Sequence, residues 1–126
     1  MSQKIAFQGE LGAYGHEACV SARPDFGPLP CATFEAAIAA VHTGAAALGM
    51  LAVENSTYGR VADVHSLLPE SGLHIVDETF VRVHINLLGR PQAVLTDVKE
   101  AHGHPVILPQ CGNFLRENNI TPRTSS

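Results

Sequence analysis

The sequence predicts an α/β protein built on a parallel sheet, and three observations carry the prediction. Short apolar runs alternate with segments of helical periodicity through the first half of the chain. Glycines close several of those runs, where a strand would turn into a helix. Three polar residues, Glu54, Asn55 and Ser56, stand directly after the apolar run "ALGMLAV" and before another helical pattern. In an α/β sheet that position lies outside the carboxyl end of a strand, where ligands bind.

The elements follow in order. "KIAFQG" is a short apolar run closed by Gly9 and reads as a first, buried strand. The glycines Gly9, Gly12 and Gly15 lack the GxGxxG spacing of a dinucleotide loop, so they read as a tight strand-to-helix turn. A short helix is expected over "HEACVSA", ending before Pro24. In "LPCATFEAAIAAVHTG", Thr33 suits an N-cap, and Phe34, Ala37, Ile38 and Val41 fall on one helix face. Gly44 supplies the stop. "ALGMLAV" predicts a second buried strand, parallel to the first. Val61, Val64, His65 and Leu68 again have helical spacing, and Pro69 ends that helix. From residue 79 to 87 the period changes to two, which predicts a half-buried strand. Thr96 is placed to cap a short helix through "DVKEAH", the "HPVILPQCGNFLREN" stretch is ambiguous, and the polar tail "ITPRTSS" is expected to fray.

Composition narrows the function classes. Of the 126 residues 45% are hydrophobic and 16% charged, enough to bury a core in one domain or part of one. The net charge of −4 and the lack of a basic patch argue against a nucleic-acid partner. No apolar run is long enough to span a bilayer, and "MSQKIAFQG" has no signal-peptide core, so no membrane partner and a cytoplasmic protein are expected. Cys19, Cys31 and Cys111 form no CxxC pair and read as small semi-buried residues. The "HGH" of residues 102–104 offers two histidines without a third ligand and predicts no metal site.

Four stretches, taken in order, resemble the prephenate dehydratase family. They are "AFQGELGAYG", "PCATFEAAIAAVHTG", "AVENSTYGRVADVHSLLPESGLHI" and "HGHPVILPQCGNFL", and together they span nearly all of residues 4–115. The resemblance implies a catalytic region like a type II periplasmic binding protein, with two α/β lobes around a cleft. On that reading residues 1–76 form the first lobe and residues 77–126 the beginning of a second. It also implies a homo-oligomer, the small-molecule substrate prephenate, and conversion of that substrate to phenylpyruvate in phenylalanine biosynthesis. No metal or organic cofactor is required, because aromatisation of the ring supplies the driving force.

The chemistry asks for donors to hold two carboxylates and for a donor or acid to assist the departing hydroxide. Carried over by motif, Asn55 and Glu54 are the expected catalytic residues. Asn55 can donate to a carboxylate or a leaving oxygen without changing charge. An ionised Glu54 would repel a dianion, so its role is to orient neighbouring donors or to bond backbone N–H groups. Ser56, Gln110, Tyr14 and Gly103 complete the expected substrate-binding set. Gly15 and Gly103 stand where the family usually has serine. The family's Thr-Arg-Phe motif and its phenylalanine-binding ACT domain have no counterpart in these 126 residues. That leaves an alternative, a non-catalytic or degenerate module binding a small dicarboxylate.

Overall fold

The computed structural model describes residues 3–56 and 59–125. They form two compact units, residues 3–55 with 59–83 and residue 56 with 84–125.

The first unit is organised by β1 (Lys4–Gln8), whose residues Ile5, Ala6 and Phe7 are buried. A five-residue strand with three consecutive buried apolar side chains must be covered on both faces. Helix α1 (Tyr14–Ala22) covers one face, where Cys19 packs with Ile5 and Phe7. Helix α2 (Phe34–His42) covers the other, where Ala37 packs with Ala6. β1 is flanked by β2 (Gly27–Cys31) on one side and β3 (Leu48–Met50) on the other, both parallel to it. The expected pairing of "KIAFQG" with "ALGMLAV" is therefore observed, with Ile5 opposite Leu48 and Phe7 opposite Met50.

β2 carries no strand signal in the sequence, because "GPLPC" holds two prolines. The register explains their tolerance. Gly27 N–H donates to the Gln3 carbonyl and Gly9 N–H to the Cys31 carbonyl, so the odd residues of β2 face β1. Pro28 and Pro30 direct their missing donors to the open edge, where none is needed.

Helix α2 begins as expected. Thr33 Oγ1 accepts from Ala36 N–H at 3.0 Å, and Gly44 ends the segment at φ 83°. The helix expected after Val61 is α3, over Ala62–Leu67, with Val64 fully buried. Between β3 and α3 lies a hairpin of β4 (Glu54–Asn55) and β5 (Gly59–Arg60).

Three expectations need correction. Residues 79–87 form no strand: residues 72–90 carry neither helix nor ladder, and Phe80 is 87% exposed. A period-two pattern specifies which side chains share a face, but a strand also needs a partner for its backbone, and none pairs there among the described residues. Thr96 caps no helix; a 3₁₀ turn over Leu95–Asp97 leads into β6 (Glu100–Gly103). The tail is ordered rather than frayed, since β7 (Thr121–Thr124) pairs parallel to β6, with Ala101 opposite Pro122.

This second unit repeats the strand–helix–strand plan around α4 (Gly112–Glu117), with Ala101, Leu115 and Ile120 as its core. The exit from α4 places the last strand. Asn119 adopts φ 55°, its N–H donates to the Arg116 carbonyl, and Ile120 N–H reaches back to the Leu115 carbonyl at 2.9 Å. That bond pair, with Leu115 and Ile120 in one apolar cluster, is a Schellman closure with asparagine in the left-handed position.

In urea unfolding, Phe7→Ala should cost about 3–5 kcal/mol by emptying the centre of the first unit. Thr33→Ala should cost only about 1 kcal/mol, the loss of one cap. Equal losses for the two variants would contradict the central place given to β1.

Candidate functional site

The strand order β2-β1-β3 reverses direction at β1: the chain leaves β1 for β2 on one side and returns by α2 to β3 on the other. Such a reversal opens a crevice at the carboxyl ends of the two strands that flank it. Here those strands are β1 and β3. The turn from Gly9 to Ala13 leaves β1 at that end, and residues 51–53 lead from β3 to the hairpin bearing Glu54 and Asn55. Tyr14, Glu54 and Asn55 are therefore issued from neighbouring strands at one end of one sheet.

One carbonyl at the base of the hairpin takes two bonds. Val53 C=O accepts from Val61 N–H at 3.0 Å and lies 2.9 Å from His65 Nε2, which donates to it. Glu54 stands opposite Arg60 and Asn55 opposite Gly59, and Gly59 adopts φ 101°, a conformation that glycine takes without strain. Asn55 is half-buried, and Glu54 and Ser56 are exposed. The exposed Glu54 matches a carboxylate that stays in water. Ser56 falls with the second unit, and Thr57 and Tyr58 lie outside the described residues. The helical spacing concealed the place of His65: at position i+4 from Val61 it reads as one more core-facing residue, yet it is exposed and bonds a backbone oxygen of the hairpin.

The turn after β1 has its own fastening. His16 Nδ1 accepts from Gly12 N–H at 2.8 Å, and its ring stacks on Phe7 with centroids 5.9 Å apart. With Nδ1 occupied as acceptor, neutral His16 carries its proton on Nε2 and presents that N–H as a donor. The N-cap position of α1 is Ala13, which has no side-chain oxygen to offer, so the first-turn amides end the helix without a side-chain cap. A helix N-terminus of that kind favours an anion. Two open hollows lie here. One of about 340 Å³ is lined by Gly12, Ala13, His16, Glu17, Val20 and Ser21. The other, of about 320 Å³, lies at the ends of β1 and β2 and is lined by Gln8, Gly9, Glu10, Pro30, Cys31 and Ala32. Neither is lined by Tyr14 or Asn55.

Other groups are committed to structure. Burial pushes the Cys19 thiol up to about 11, so it supplies no thiolate at neutral pH. In the second unit, Gln110 Nε2 donates to the Val106 carbonyl at 2.8 Å, which spends one of its two amide hydrogens locally. His104 Nδ1 accepts from Val106 N–H at 3.1 Å, and His102 lies 3.3 Å from Glu100. Both histidines of "HGH" thus bond neighbours within two residues. Gly103 ends β6, where a Cβ would come within 3.3 Å of Leu108 Cδ2.

Similarity to known proteins places the chain. The profile of the family "Prephenate dehydratase" matches residues 5–126. The chain belongs to the prephenate dehydratase family. It is 52% identical over 118 residues to a bifunctional N-acyl-homoserine lactone acylase/prephenate dehydratase of Komagataeibacter europaeus, covering 94% of this chain and 42% of that protein. It is 39% identical to arogenate dehydratase/prephenate dehydratase 1, chloroplastic, of Arabidopsis thaliana, covering 93% of this chain and 29% of the relative. A solved structure titled GqqA, a novel type of quorum quenching acylases, superposes with a TM-score of 0.75 at 50% identity, over 98% of this chain and 45% of that one. The chain thus spans less than half the length of these relatives. Its parallel α/β units are consistent with part of the type II periplasmic-binding-like fold.

Gly15 stands where the family resemblance implies serine, and the structure gives a reason for glycine. A Cβ there would sit 3.0 Å from Phe7 Cδ2 and 3.3 Å from the Gln8 carbonyl. Phe7 is fully buried and cannot swing away freely. Gly15→Ser should therefore lower stability by about 1–3 kcal/mol despite its better helix propensity. A thermal midpoint at or above that of the parent would show that the ring yields.

Proposed function

We propose that this chain supplies the part of a prephenate dehydratase site that holds the substrate's carboxylates, at the β1/β3 end of the first unit. The observation that carries the reading is the clamped hairpin: Asn55 is presented next to the strand reversal by a turn tied at Val53 to both Val61 and His65. Family membership supports the substrate class.

In the reaction, the bond between the ring and its carboxylate breaks and releases carbon dioxide. That electron pair aromatises the ring and expels the ring hydroxyl, which takes up one proton and leaves as water. The other carboxylate remains on phenylpyruvate. The site must therefore hold two anions and deliver one proton. The α1 N-terminus and the donors Asn55 and His16 Nε2–H suit the first task, since each can donate to an anion. Ser56, Gln110 and Gly103 fall in the second unit and are proposed as substrate-binding residues there. Uniform binding of this kind lowers KM without speeding the chemical step. The 126 residues hold no Thr-Arg-Phe motif, so no proton donor is assigned among them.

A second reading, hydrolysis of an N-acyl homoserine lactone, is favoured by the names of two relatives at 52% and 50% identity. Amide hydrolysis needs an activated water or nucleophile. In the first unit, Cys19 is held protonated and His16 has its acceptor nitrogen occupied, so neither is poised for that role.

Calorimetry with prephenate, arogenate and an N-acyl homoserine lactone as separate ligands tests both readings. Prephenate or arogenate should bind, and Asn55→Ala should weaken binding at least about tenfold, the worth of one hydrogen bond to a charged group. Phenylpyruvate formation by this chain should run about 10²-fold or more below that of a complete enzyme, the loss that follows removal of one transition-state donor. Binding and cleavage of the acyl lactone, with no response to prephenate, would favour the second reading over the first.

A further inference from the structure

The turn after β1 is closed by two bonds of different kinds. Ala13 N–H donates to the Glu10 carbonyl at 3.1 Å, which makes residues 10–13 a β-turn. Gly12 takes its third position at φ 93°, as a type II turn requires. That closing bond does not use the Gly12 N–H, which donates instead to His16 Nδ1 at 2.8 Å. The half-buried His16 ring is steadied from β1 by its stack on the fully buried Phe7. The Gly12 bond differs in kind from the histidine bond at the hairpin. A neutral imidazole accepts at one nitrogen and donates at the other, while an imidazolium donates at both. His65 therefore donates to the Val53 carbonyl in either charge state. His16 accepts, so a proton on Nδ1 removes the acceptor and sets two N–H groups against each other.

We propose that His16 is a proton-sensitive positioning residue: its neutral ring latches the turn after β1 in the form that receives a substrate carboxylate, and protonation releases the turn. This rests on the reading of the β1/β3 end as a carboxylate-holding place. The sign of the pH dependence sets it apart from simple attraction. A histidine that draws an anion by charge alone holds it better as the pH falls. A latch that needs the neutral ring holds it worse, because the Gly12 bond is lost while the charge is gained. Carboxylates stay ionised between about pH 6 and 8, the range in which histidine ordinarily changes charge. On the elements around the ring, the titratable side chains of α1 are Tyr14, Glu17 and the buried Cys19, and the turn contributes Glu10. Glu17 lines the same hollow as His16, and from β1 the ring meets the uncharged Phe7. None of these is a second histidine, so the proton that matters in this range is the one on His16.

Amide spectra of the full chain without ligand, from about pH 8 down to about pH 6, read the latch directly. The Gly12 amide should move through one titration and lose its hydrogen-bonded shift, while the Val61 amide, bonded to the hairpin carbonyl, holds its position. Two variants separate the two ring nitrogens. His16→Asn sets an amide oxygen where Nδ1 stands and has no proton to gain. His16→Gln sets its amide group near Nε2 and leaves no acceptor at Nδ1. Gly12 should show the parent's high-pH signal throughout in His16→Asn, and the parent's low-pH signal throughout in His16→Gln, with the circular dichroism of all three proteins alike. Prephenate affinity of the parent, by calorimetry, should fall about three- to tenfold across this range, the worth of one hydrogen bond. His16→Asn, which also gives up the Nε2 donor, should bind more weakly than the parent at the higher pH and weaken no further at the lower. A Gly12 amide that ignores pH overturns the latch. Affinity that rises on acidification overturns it as well and makes His16 a charge for the anion. A His16→Asn variant that keeps the parent's pH dependence overturns the assignment to His16. No prephenate binding at any pH, with Gly12 titrating as described, overturns the reading of the site and the positioning role that rests on it, while the latch itself stands.

Discussion

Ile5, Ala6 and Phe7 are shut away from water on both sides of one strand, and that burial dictates most of what surrounds it. A strand buried on both faces must be central, must be flanked on both edges, and must have a helix on each face. With α1 and α2 on opposite faces, the chain has to leave β1 in one direction and come back on the other side. The reversal that results is what opens a binding end. The candidate site is thus a topological consequence of three buried side chains, prior to any chemistry at Asn55.

What the site adds is fastening. The segments that leave β1 and β3 at this end are each tied by one histidine to one backbone group: His16 to the Gly12 amide, His65 to the Val53 carbonyl. In both cases one ring nitrogen bonds the backbone of the loop beside it. A loop positioned by specific bonds on a rigid sheet is where binding residues are usefully placed. The names of its relatives include dehydratases and an acylase, and one fold can host different chemistries.

The first half of the fold was legible because each element carried its own local signal. Thr33 and Gly44 bracket α2, the spacing of Phe34, Ala37, Ile38 and Val41 marks its buried face, and "KIAFQG" reads as a strand without context. The misses share a cause, which is that strand pairing is not local. β2 was hidden by Pro28 and Pro30, harmless only because that edge of the sheet is open. β7 was hidden by a polar "TPRT", placed by the closure at Asn119 rather than by its own pattern. Residues 79–87 erred the other way, with a strand's pattern and no strand ladder among the described residues. For the site, the motif around Asn55 was readable, while the roles of His16 and His65 were not, since a hydrogen bond to a backbone atom leaves no periodic trace.

The central claim is that the turn after β1 and the hairpin after β3 border one binding place at the carboxyl end of the sheet. An amide chemical-shift titration of the full chain with prephenate addresses it residue by residue. The account predicts the largest changes at Gly12, Ala13 and Asn55, moving together with one apparent affinity, and little change at Lys4, Gly27 and Ala47 at the other end of the strands. Changes confined to that other end, or different affinities at the turn and the hairpin, would contradict it.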